Sequence, residues 1–329
     1  MATYSTEKGF TIQTIAGDPP APKLGQIWYN TTSNVLKGYV TTTAGWSSAT
    51  SIPVGTSDMG SGGTTTAAII WGGTPFDNVG NDTWEYDGST WTAGGTMTTI
   101  LGGNAGTGTQ TAAIGAGGHN GGGYQSDTAM TYNGSTWTAI TADPASSAAI
   151  RGTAGIQTAF LTVGGYWPTQ TNVTSLWDGS AWTTGGVYPV SKTAIKANGT
   201  QAACFAAGGN PGFIGTSNTF DGSTWTSTGS LNVARAYGGT GGSVSVGIYF
   251  AGNTPALTTT VNISETYDGT SWTVAPTLAT GRNSPAQGWG VGSADLGVLC
   301  FGGNLAPGYS TGVEEWDAGG DAVVTLTSS

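Results

Sequence analysis

The chain has 329 residues, a net charge of −10 at pH 7 and only 8 % charged residues. Its eight Lys and Arg residues are scattered, so the sequence contains no basic patch of the kind that binds nucleic acid. No apolar stretch approaches the roughly 20 residues of a membrane-spanning helix, and residues 1–8 do not resemble a secretion signal. The sequence therefore predicts a protein that binds no nucleic acid and does not insert into membranes.

The first 51 residues contain four short runs with β-strand character. A Pro-rich stretch at residues 19–22 and an Asn-Thr-Thr-Ser-Asn turn at residues 30–34 separate them. The predicted strands cover residues 10–15, 26–29, 35–39 and 46–48. Residues 1–51 are therefore predicted to form an N-terminal segment built from β-structure.

From residue 52 to residue 329, one unit recurs about every 45 residues. It consists of an apolar run that ends in a Gly pair, a loop, an aromatic residue, a tight turn and a Trp. The Gly pairs are Gly72 and Gly73, Gly117 and Gly118, Gly164 and Gly165, Gly208 and Gly209, and Gly302 and Gly303. The aromatic residues before the turn are Tyr86, Tyr132, Trp177, Phe220, Tyr267 and Trp316. The Trp residues after the turn are Trp91, Trp137, Trp182, Trp225 and Trp272. A repeat of this length indicates supersecondary units that bury their apolar faces against one another.

Each unit is predicted to form four short strands. A strand of small residues comes first, the apolar run is the second, and the third and fourth flank the turn. Asp-Gly and Asn-Gly steps favour tight hairpins because Gly adopts positive φ readily. No segment has an apolar period of 3.6 residues, so helix is excluded. Repeated four-stranded sheets predict an all-β fold of the β-propeller type, which protects the sheet edges.

The Gly pair, the Tyr-Asp turn and the following Trp make residues 52–329 resemble the kelch repeat family. The resemblance implies a β-propeller with six kelch-like four-stranded blades in this region, although the Asp-Gly turn is tighter than the family's link. Seven blades are favoured, because Tyr39 and Trp46 lie one period before Tyr86 and Trp91. In that case residues 1–51 contribute an atypical first blade. The alternative is six blades and an N-terminal attachment segment.

Residues 17–39 are similar to a segment that recurs in tail and fibre proteins of tailed bacteriophages. The similarity covers the Pro-rich stretch and the hairpin that follows it. It implies a virion protein that assembles in the host cytoplasm, leaves by lysis, and contacts other virion proteins as a homo-oligomer. The abundance of Gly, Thr and Ser and the scarcity of Lys and Cys agree with this expectation.

The polar residues give little indication of catalysis. His119 is the single His of the chain, and no other metal-ligand type accompanies it at a suitable spacing. Only Asp77, Asp82 and Asp127 lie in loops after Gly pairs, where the carboxylates of a polysaccharide-cleaving enzyme would be expected. No nucleophile–base pair is recognisable. The sequence therefore predicts a non-enzymatic protein with no metal and no cofactor.

Buried or structural roles are predicted for several further polar residues. Arg151, Arg235 and Arg282 precede first strands and are interpreted as hydrogen-bond donors between blades. Glu85, Glu265, Glu314 and Glu315 lie beside third-strand aromatic residues and are interpreted as edge-strand charges. The two cysteines, Cys204 and Cys300, belong to different repeats and are predicted to be buried free thiols.

The loops between second and third strands are the candidate binding surface. The aromatic residues in these loops are Phe76, Tyr124, Tyr166, Trp167, Phe213 and Tyr309. Aromatic rings beside amide and hydroxyl groups suit a sugar ring or a flat protein partner, whereas the alternative is that they fill gaps between blades. We therefore expect recognition of host-surface glycans. The alternatives are a capsid-decoration or tail-adaptor role and, as a minor one, polysaccharide cleavage.

Overall fold

The computed structural model describes residues 12–75, 80–119, 126–143, 149–166, 168–255, 257–284, 286–287, 297–305 and 308–326. Every helix or strand in these ranges is a β-strand. No helix among the described residues is long and apolar enough to cross a membrane. The all-β fold class predicted from the sequence is therefore confirmed for the described part of the chain.

The described residues contain 32 strands. The first eight are β1 (Gln13–Ile15), β2 (Ile27–Asn30), β3 (Val35–Thr42), β4 (Gly45–Ala49), β5 (Gly60–Thr64), β6 (Ala67–Trp71), β7 (Thr83–Tyr86) and β8 (Trp91–Ala93). The next twelve are β9 (Ala105–Thr109), β10 (Ala112–Ala116), β11 (Ala129–Tyr132), β12 (Trp137–Ile140), β13 (Gly152–Ile156), β14 (Ala159–Val163), β15 (Thr174–Trp177), β16 (Trp182–Thr184), β17 (Lys196–Thr200), β18 (Ala203–Ala207), β19 (Ser217–Phe220) and β20 (Trp225–Ser227). The last twelve are β21 (Gly239–Gly242), β22 (Gly247–Phe250), β23 (Asn253–Thr254), β24 (Leu257–Thr260), β25 (Ser264–Tyr267), β26 (Trp272–Ala275), β27 (Ala286–Gln287), β28 (Val298–Phe301), β29 (Asn304–Leu305), β30 (Gly308–Tyr309), β31 (Val313–Asp317) and β32 (Gly320–Thr325).

The chain divides into two compact units, Met1–Ala44 with Ala318–Ser329, and Gly45–Asp317. In the first unit β1, β2, β3 and β32 form one four-stranded sheet in that order. β1 is parallel to β2, and the other neighbours are antiparallel. The division differs from the expected one at residues 51 and 52, because β4 belongs to the second unit and β32 to the first.

Asp18 joins the Pro-rich stretch to the sheet of the first unit. Its carboxylate accepts hydrogen bonds from Trp28 Nε1 at 3.2 Å and Asn30 Nδ2 at 2.7 Å, and it pairs with Lys37 Nζ at 2.9 Å. These partners, with Lys37 first among them, lower the pKa of Asp18. The Pro-rich stretch and the hairpin that follows it are thus joined by side-chain hydrogen bonds.

The second unit contains six four-stranded antiparallel sheets, all formed by described residues. In chain order they are sheet 1 (β5 to β8), sheet 2 (β9 to β12), sheet 3 (β13 to β16), sheet 4 (β17 to β20), sheet 5 (β21, β22, β25 and β26) and sheet 6 (β27, β28, β31 and β4). The first strands of successive sheets contact each other, and the first strand of sheet 6 also contacts that of sheet 1. Two small hairpins, β23–β24 and β29–β30, lie in the loops of sheets 5 and 6.

Trp46 lies in sheet 6, although it is near the N-terminus. The expectation that it completes a sheet with the strands of Trp28 and Tyr39 is wrong, because β4 pairs with β31 and Trp46 lies opposite Trp316. Sheet 6 has no Trp after its own third strand, and Trp46 takes that place. The spacing between Trp46 and Trp91 therefore gives no support for a seventh blade.

Aromatic pairs bridge the third and fourth strands of all six sheets. Tyr86 and Trp91 have ring centroids 4.9 Å apart, and the centroids of Trp46 and Trp316 are 5.5 Å apart. The remaining pairs are Tyr132–Trp137, Trp177–Trp182, Phe220–Trp225 and Tyr267–Trp272. Cross-strand aromatic pairs stabilise a sheet beyond the area they bury.

The same six Trp side chains also connect neighbouring sheets. Each indole N–H donates to an oxygen of the preceding sheet or of the segment that follows it, at 2.8 or 2.9 Å. The donor and acceptor pairs are Trp46 with Ser264 Oγ, Trp91 with Thr50 O, Trp137 with Thr83 Oγ1, Trp182 with Thr141 O, Trp225 with Thr174 Oγ1, and Trp272 with Ser217 Oγ. Because Thr50 directly follows β4, the bond from Trp91 connects sheet 1 to sheet 6.

Three Arg side chains form buried ion pairs with carboxylates. Arg235 pairs with Glu265, and the second pair is Arg282 with Glu314, each at 2.5 Å. Arg151 forms the third pair, with Asp143. These arginines are interpreted from the sequence as hydrogen-bond donors between sheets. That interpretation is wrong, because their guanidinium groups donate to carbonyl groups of their own sheets. The interpretation of Glu265 and Glu314 as edge-strand charges is also wrong, because both side chains are buried and lie on interior strands of their sheets.

Candidate functional site

The two ends of each sheet in the second unit carry different connections. The connections between first and second strands and the hairpins between third and fourth strands lie at one end, which we call the turn end. The loops between second and third strands and the links to the next sheet lie at the other, which we call the loop end.

At the turn end, one hydrogen-bond pattern recurs in five hairpins. Asp87 Oδ1 accepts bonds from the backbone N–H groups of Ser89 at 2.8 Å and Thr90 at 2.7 Å. The same pattern is present at Asp178, Asp221, Asp268 and Asn133. The backbone donors hold the pKa of the four turn aspartates below the usual value. These carboxylates are therefore occupied by the turn backbone.

At the loop end, the residue two positions before each first strand has a left-handed backbone, with φ between 50° and 61°. We call these six the inner residues: Asp58, Gly103, Ile150, Ala194, Tyr237 and Ser284. Hydrogen bonds connect them in series, with the N–H of Ala194 donating to Ile150, Ile150 to Gly103, Gly103 to Asp58, Asp58 to Ser284, and Ser284 to Tyr237, at 2.7 to 3.0 Å. The bond from Asp58 to Ser284 joins sheet 1 to sheet 6.

Further backbone contacts fix the residue that follows each Gly pair. In sheet 5 a single glycine, Gly252, takes the place of the pair. We call these six residues the outer residues: Thr74, His119, Tyr166, Asn210, Asn253 and Asn304. Each forms an antiparallel bridge with the residue just before an inner residue. The second glycine of a pair donates to the link that enters the next sheet, as in Gly73 N–H to Leu101 O at 2.9 Å. Backbone atoms thus hold both sets of residues in equivalent positions.

The side chains at these equivalent positions differ from sheet to sheet. The inner set includes an acid, an aliphatic residue and an aromatic residue, and the outer set includes Thr, His, Tyr and Asn. Ile150 and Tyr237 keep bulky side chains at a positive φ that Gly103 adopts without strain, which costs about 1–2 kcal/mol per residue. Because strained backbone positions cluster at functional sites, Ile150 and Tyr237 are candidates for a role in binding.

A cleft of about 330 Å³ lies at the loop end of sheets 3, 4 and 5. Its lining includes Ile150, Tyr166, Gln170, Thr193, Asn210 and Tyr237. Tyr166 is 40 % exposed, so its ring is available to a ligand. The cleft thus combines two aromatic rings with two amides and a hydroxyl group, which suits a ligand with both apolar and hydroxylated surfaces.

The predicted binding residues are distributed unequally around this cleft. Tyr166 lines it. Phe213 is half-buried in the loop that follows Asn210, and its N–H donates to Asn210 Oδ1 at 3.2 Å. Tyr309 is 41 % exposed in β30 and pairs with Asn304, outside the cleft lining. Three predicted residues lie outside the described part of the chain, namely Phe76, Tyr124 and Trp167.

The groups considered for catalysis do not converge among the described residues. The His119 ring lies against Gly103, since a Cβ atom on Gly103 would be 3.1 Å from His119 Cδ2. Asp82 is half-buried and Asp127 is exposed, whereas Asp77 lies outside the described residues. No group of three or more His, Cys, Asp or Glu side chains in the described ranges has an arrangement that could hold a metal ion.

The sequence matches no protein-family model and no curated protein sequence. The site is therefore interpreted from its own geometry.

Six cleft residues are absent from the predicted binding residues: Ile150, Gln170, Thr193, Asn210, Pro211 and Tyr237. Their signal in the sequence is weak, because they are neither consistently aromatic nor charged. Alignment of the repeats could have revealed the outer residues, since the residue type varies at the position that follows the Gly pair, or Gly252 in the fifth repeat. The inner residues have no such marker, because their defining property is a backbone angle.

Proposed function

We propose that residues 45–317 form a closed, six-bladed, kelch-like β-propeller in which β4 completes the last blade. Support comes from the three contacts between sheets 1 and 6: the β27–β5 contact, the Asp58 to Ser284 hydrogen bond and the Trp91 to Thr50 hydrogen bond. Joining the N-terminal and C-terminal parts in one sheet removes a free pair of edges, which is the advantage of a propeller.

We further propose that the protein is a non-enzymatic bacteriophage virion protein that recognises host-surface glycans through the loop end. The single observation that supports this function best is the cleft between Tyr166 and Tyr237. A pyranose ring has an apolar C–H face that packs on an aromatic ring, and hydroxyl groups that bind amides such as those of Gln170 and Asn210. The tail location rests on the similarity of residues 17–39 to phage tail and fibre segments.

The fixed backbone of the loop end also favours recognition. The inner and outer residues are held by backbone hydrogen bonds, so the side chains that line the cleft project from a preorganised frame. A frame that is ordered before binding reduces the entropy lost when the ligand binds.

The proposal is tested with the full chain and a panel of purified bacterial capsular polysaccharides and O-chains. We expect at least one polysaccharide to bind, and we expect Tyr166→Ala and Tyr237→Ala to weaken that binding at least tenfold. Binding is measured by isothermal titration calorimetry, and thermal unfolding checks that the variants remain folded.

Tyr309→Ala is the matched control, because Tyr309 has nearly the same exposure as Tyr166 but is outside the cleft lining. Equal losses for Tyr309→Ala and Tyr166→Ala would contradict recognition by the cleft. Absence of binding to every polysaccharide would contradict glycan recognition itself.

A structural role as a tail adaptor or capsid-decoration protein is the second candidate. It is favoured by apolar side chains on the first unit, where Leu24 is 62 % exposed and Ile27 is 45 % exposed. Exposed apolar residues of this kind are typical of surfaces that contact another protein. This role would explain a chain that binds none of the polysaccharides.

A further inference from the structure

Lys196 is an exception among the residues that begin the first strands. The other five positions hold Gly or Ala: Gly60, Ala105, Gly152, Gly239 and Ala286. Small residues at this position allow neighbouring sheets to approach closely, as at Gly152, where a Cβ atom would be 3.2 Å from Ala197 Cβ. A long charged side chain at one of six equivalent positions is therefore not required by the repeat.

The Lys196 ammonium has no hydrogen bond or ion pair with any residue in the described ranges. The residue is half-buried, and burial lowers the pKa of its ammonium group. Burying an unpaired charge is unfavourable unless a partner compensates it. By contrast, Lys192, which precedes the same strand, donates two hydrogen bonds from its Nζ, to Gly208 O at 3.2 Å and to Thr216 Oγ1 at 2.5 Å.

Asp58 is the charged group that acts on Lys196. Its carboxylate raises the pKa of the lysine, opposing the effect of burial, but the two groups form no ion pair within 4 Å. Asp58 already accepts a hydrogen bond from Ser57 Oγ at 3.0 Å. Asp58 of sheet 1 and Lys196 of sheet 4 therefore attract each other electrostatically but form no direct ion pair.

Lys196 is not a lining residue of the cleft, but it lies close to one in the chain. It follows Thr193, a lining residue, by three positions, and Ala194 between them is an inner residue with a small side chain. Three residues span at most roughly 10 Å, which is comparable to the length of two sugar rings. A glycan of two or more rings in the cleft could therefore place one substituent near the lysine.

We propose that the Lys196 ammonium binds an anionic group of the glycan, so that the ligand recognised at the loop end is an acidic polysaccharide. This inference rests on the proposed glycan recognition and defines its substrate class. Carboxylate and sulfate groups share the required chemistry, because both accept charge-assisted hydrogen bonds from an ammonium group. The net charge of −10 opposes acidic ligands at long range, so a local cation is needed for their selection.

The test uses the full chain and each polysaccharide in three forms: native, carboxyl-reduced and desulfated. We expect native acidic polysaccharides to bind at least tenfold more tightly than the form that lacks their anionic group. The form whose affinity falls identifies carboxylate or sulfate as the group bound. Lys196→Met is expected to lose about tenfold in affinity for the native form and to bind the neutral form as the wild type does.

Two further variants keep the test decisive if Lys196→Met does not fold. Lys196→Gln removes the charge but keeps a polar side chain, and it should reproduce the loss. Asp58→Asn should have the opposite effect and tighten binding of the native form severalfold, because it removes a negative charge near the site. Lys23→Met, at an exposed lysine of the other unit, is the control for net charge.

The outcomes separate this inference from the function on which it rests. Equal affinity for native and neutral forms, or unchanged affinity in both Lys196 variants, would overturn the acidic specificity and leave glycan recognition intact. Binding to none of the polysaccharide forms would overturn both.

Discussion

The turn end and the loop end of the second unit are built on the same six sheets, yet their sequences behave in opposite ways. At the turn end the same residue types return in sheet after sheet, as the Asp-Gly turns and the Trp residues show. At the loop end, equivalent positions hold residues as different as Asp58, Ile150 and Tyr237.

The difference follows from which atoms make the repeated contacts. Turn-end contacts use side chains, since Asp carboxylates hold the hairpins and indole groups connect the sheets. Loop-end contacts use backbone N–H and C=O groups, which every residue except proline provides. A structure held by side chains constrains its sequence, whereas a structure held by backbone atoms leaves its side chains available for binding.

The largest expected effect is a loss of stability when a turn-end Trp is removed. Trp272 is 5 % exposed, packs against Tyr267 with ring centroids 4.9 Å apart, and donates to Ser217 Oγ. Trp272→Ala should lower the free energy of unfolding by about 3–5 kcal/mol, since it leaves a cavity and removes a bond between sheets. Denaturation in urea measures this change.

Tyr166→Ala is the loop-end counterpart and should change the free energy of unfolding by no more than ~0.5 kcal/mol, because its ring is partly exposed. Similar losses in both variants would show that loop-end side chains also hold the fold, and would remove the distinction between the two ends.

A smaller effect is expected at Lys192, which lies beneath the loop end where sheets 3, 5 and 6 have arginines with carboxylate partners. Lys192 has no ion pair with a described residue, and burial lowers its pKa from 10.5 to about 8. Between pH 8 and 10.5 only the unfolded chain binds the proton, so stability rises with pH in this window. Relative to Lys192→Met, the wild type should gain roughly 3 kcal/mol between pH 7.5 and 11.

The free energies of unfolding of both proteins at several pH values test this expectation. Lys23→Met serves as the matched control for the loss of one positive charge, because it removes an exposed lysine. If the difference in the free energy of unfolding between wild type and Lys192→Met stays constant across this pH range, burial does not lower the pKa of Lys192 as expected.

The smallest expected effect is the contribution of the turn aspartates to the loss of stability at low pH. Their pKa values are lowered in the folded protein, chiefly by backbone hydrogen bonds, so they contribute stability above about pH 4 that is lost as the pH falls further. Changing Asp87, Asp178, Asp221 and Asp268 together to Asn should make the loss of stability between pH 4 and 2 shallower.

Asn133 provides the reciprocal variant, since it makes the same backbone contacts without a charge. Asn133→Asp should steepen the acid dependence. Thermal unfolding midpoints at pH 2 to 5 measure both changes, and an unaltered slope in both variants would exclude a contribution from the turn carboxylates.

Much of the second unit could be predicted from the sequence because its constraints lie in side chains. The Gly pairs, the aromatic pairs and the Asp-Gly turns each require particular residue types, and they gave the strands and hairpins. The partner of β4 could not be predicted in this way, because Trp46 keeps the same spacing to Trp91 whether it begins a new sheet or completes the last one.

The candidate site was predicted only in part for a related reason. Tyr166 carries an aromatic side chain in a loop and is visible in the sequence. Thr193 and Tyr237 line the cleft where the chain turns before a first strand, at a residue with positive φ. The sequence does not reveal a positive φ when the residue that adopts it is not glycine. The burial of Glu265 likewise depends on Arg235, which lies 30 residues away.

The sheet of the first unit and sheet 6 each pair strands that are far apart in the sequence, and this separation sets the order in which they can assemble. Thr41 and Asp321, which meet across β3 and β32, are separated by 280 residues. At ribosomal rates this distance corresponds to roughly 15–60 s of synthesis. During that interval β3 and β4 are exposed without their partners, and non-local pairing of this kind is also slow to form. The nascent chain must therefore keep β3 and β4 soluble until β31 and β32 emerge, so a product that ends before β31 would leave two sheets incomplete at once.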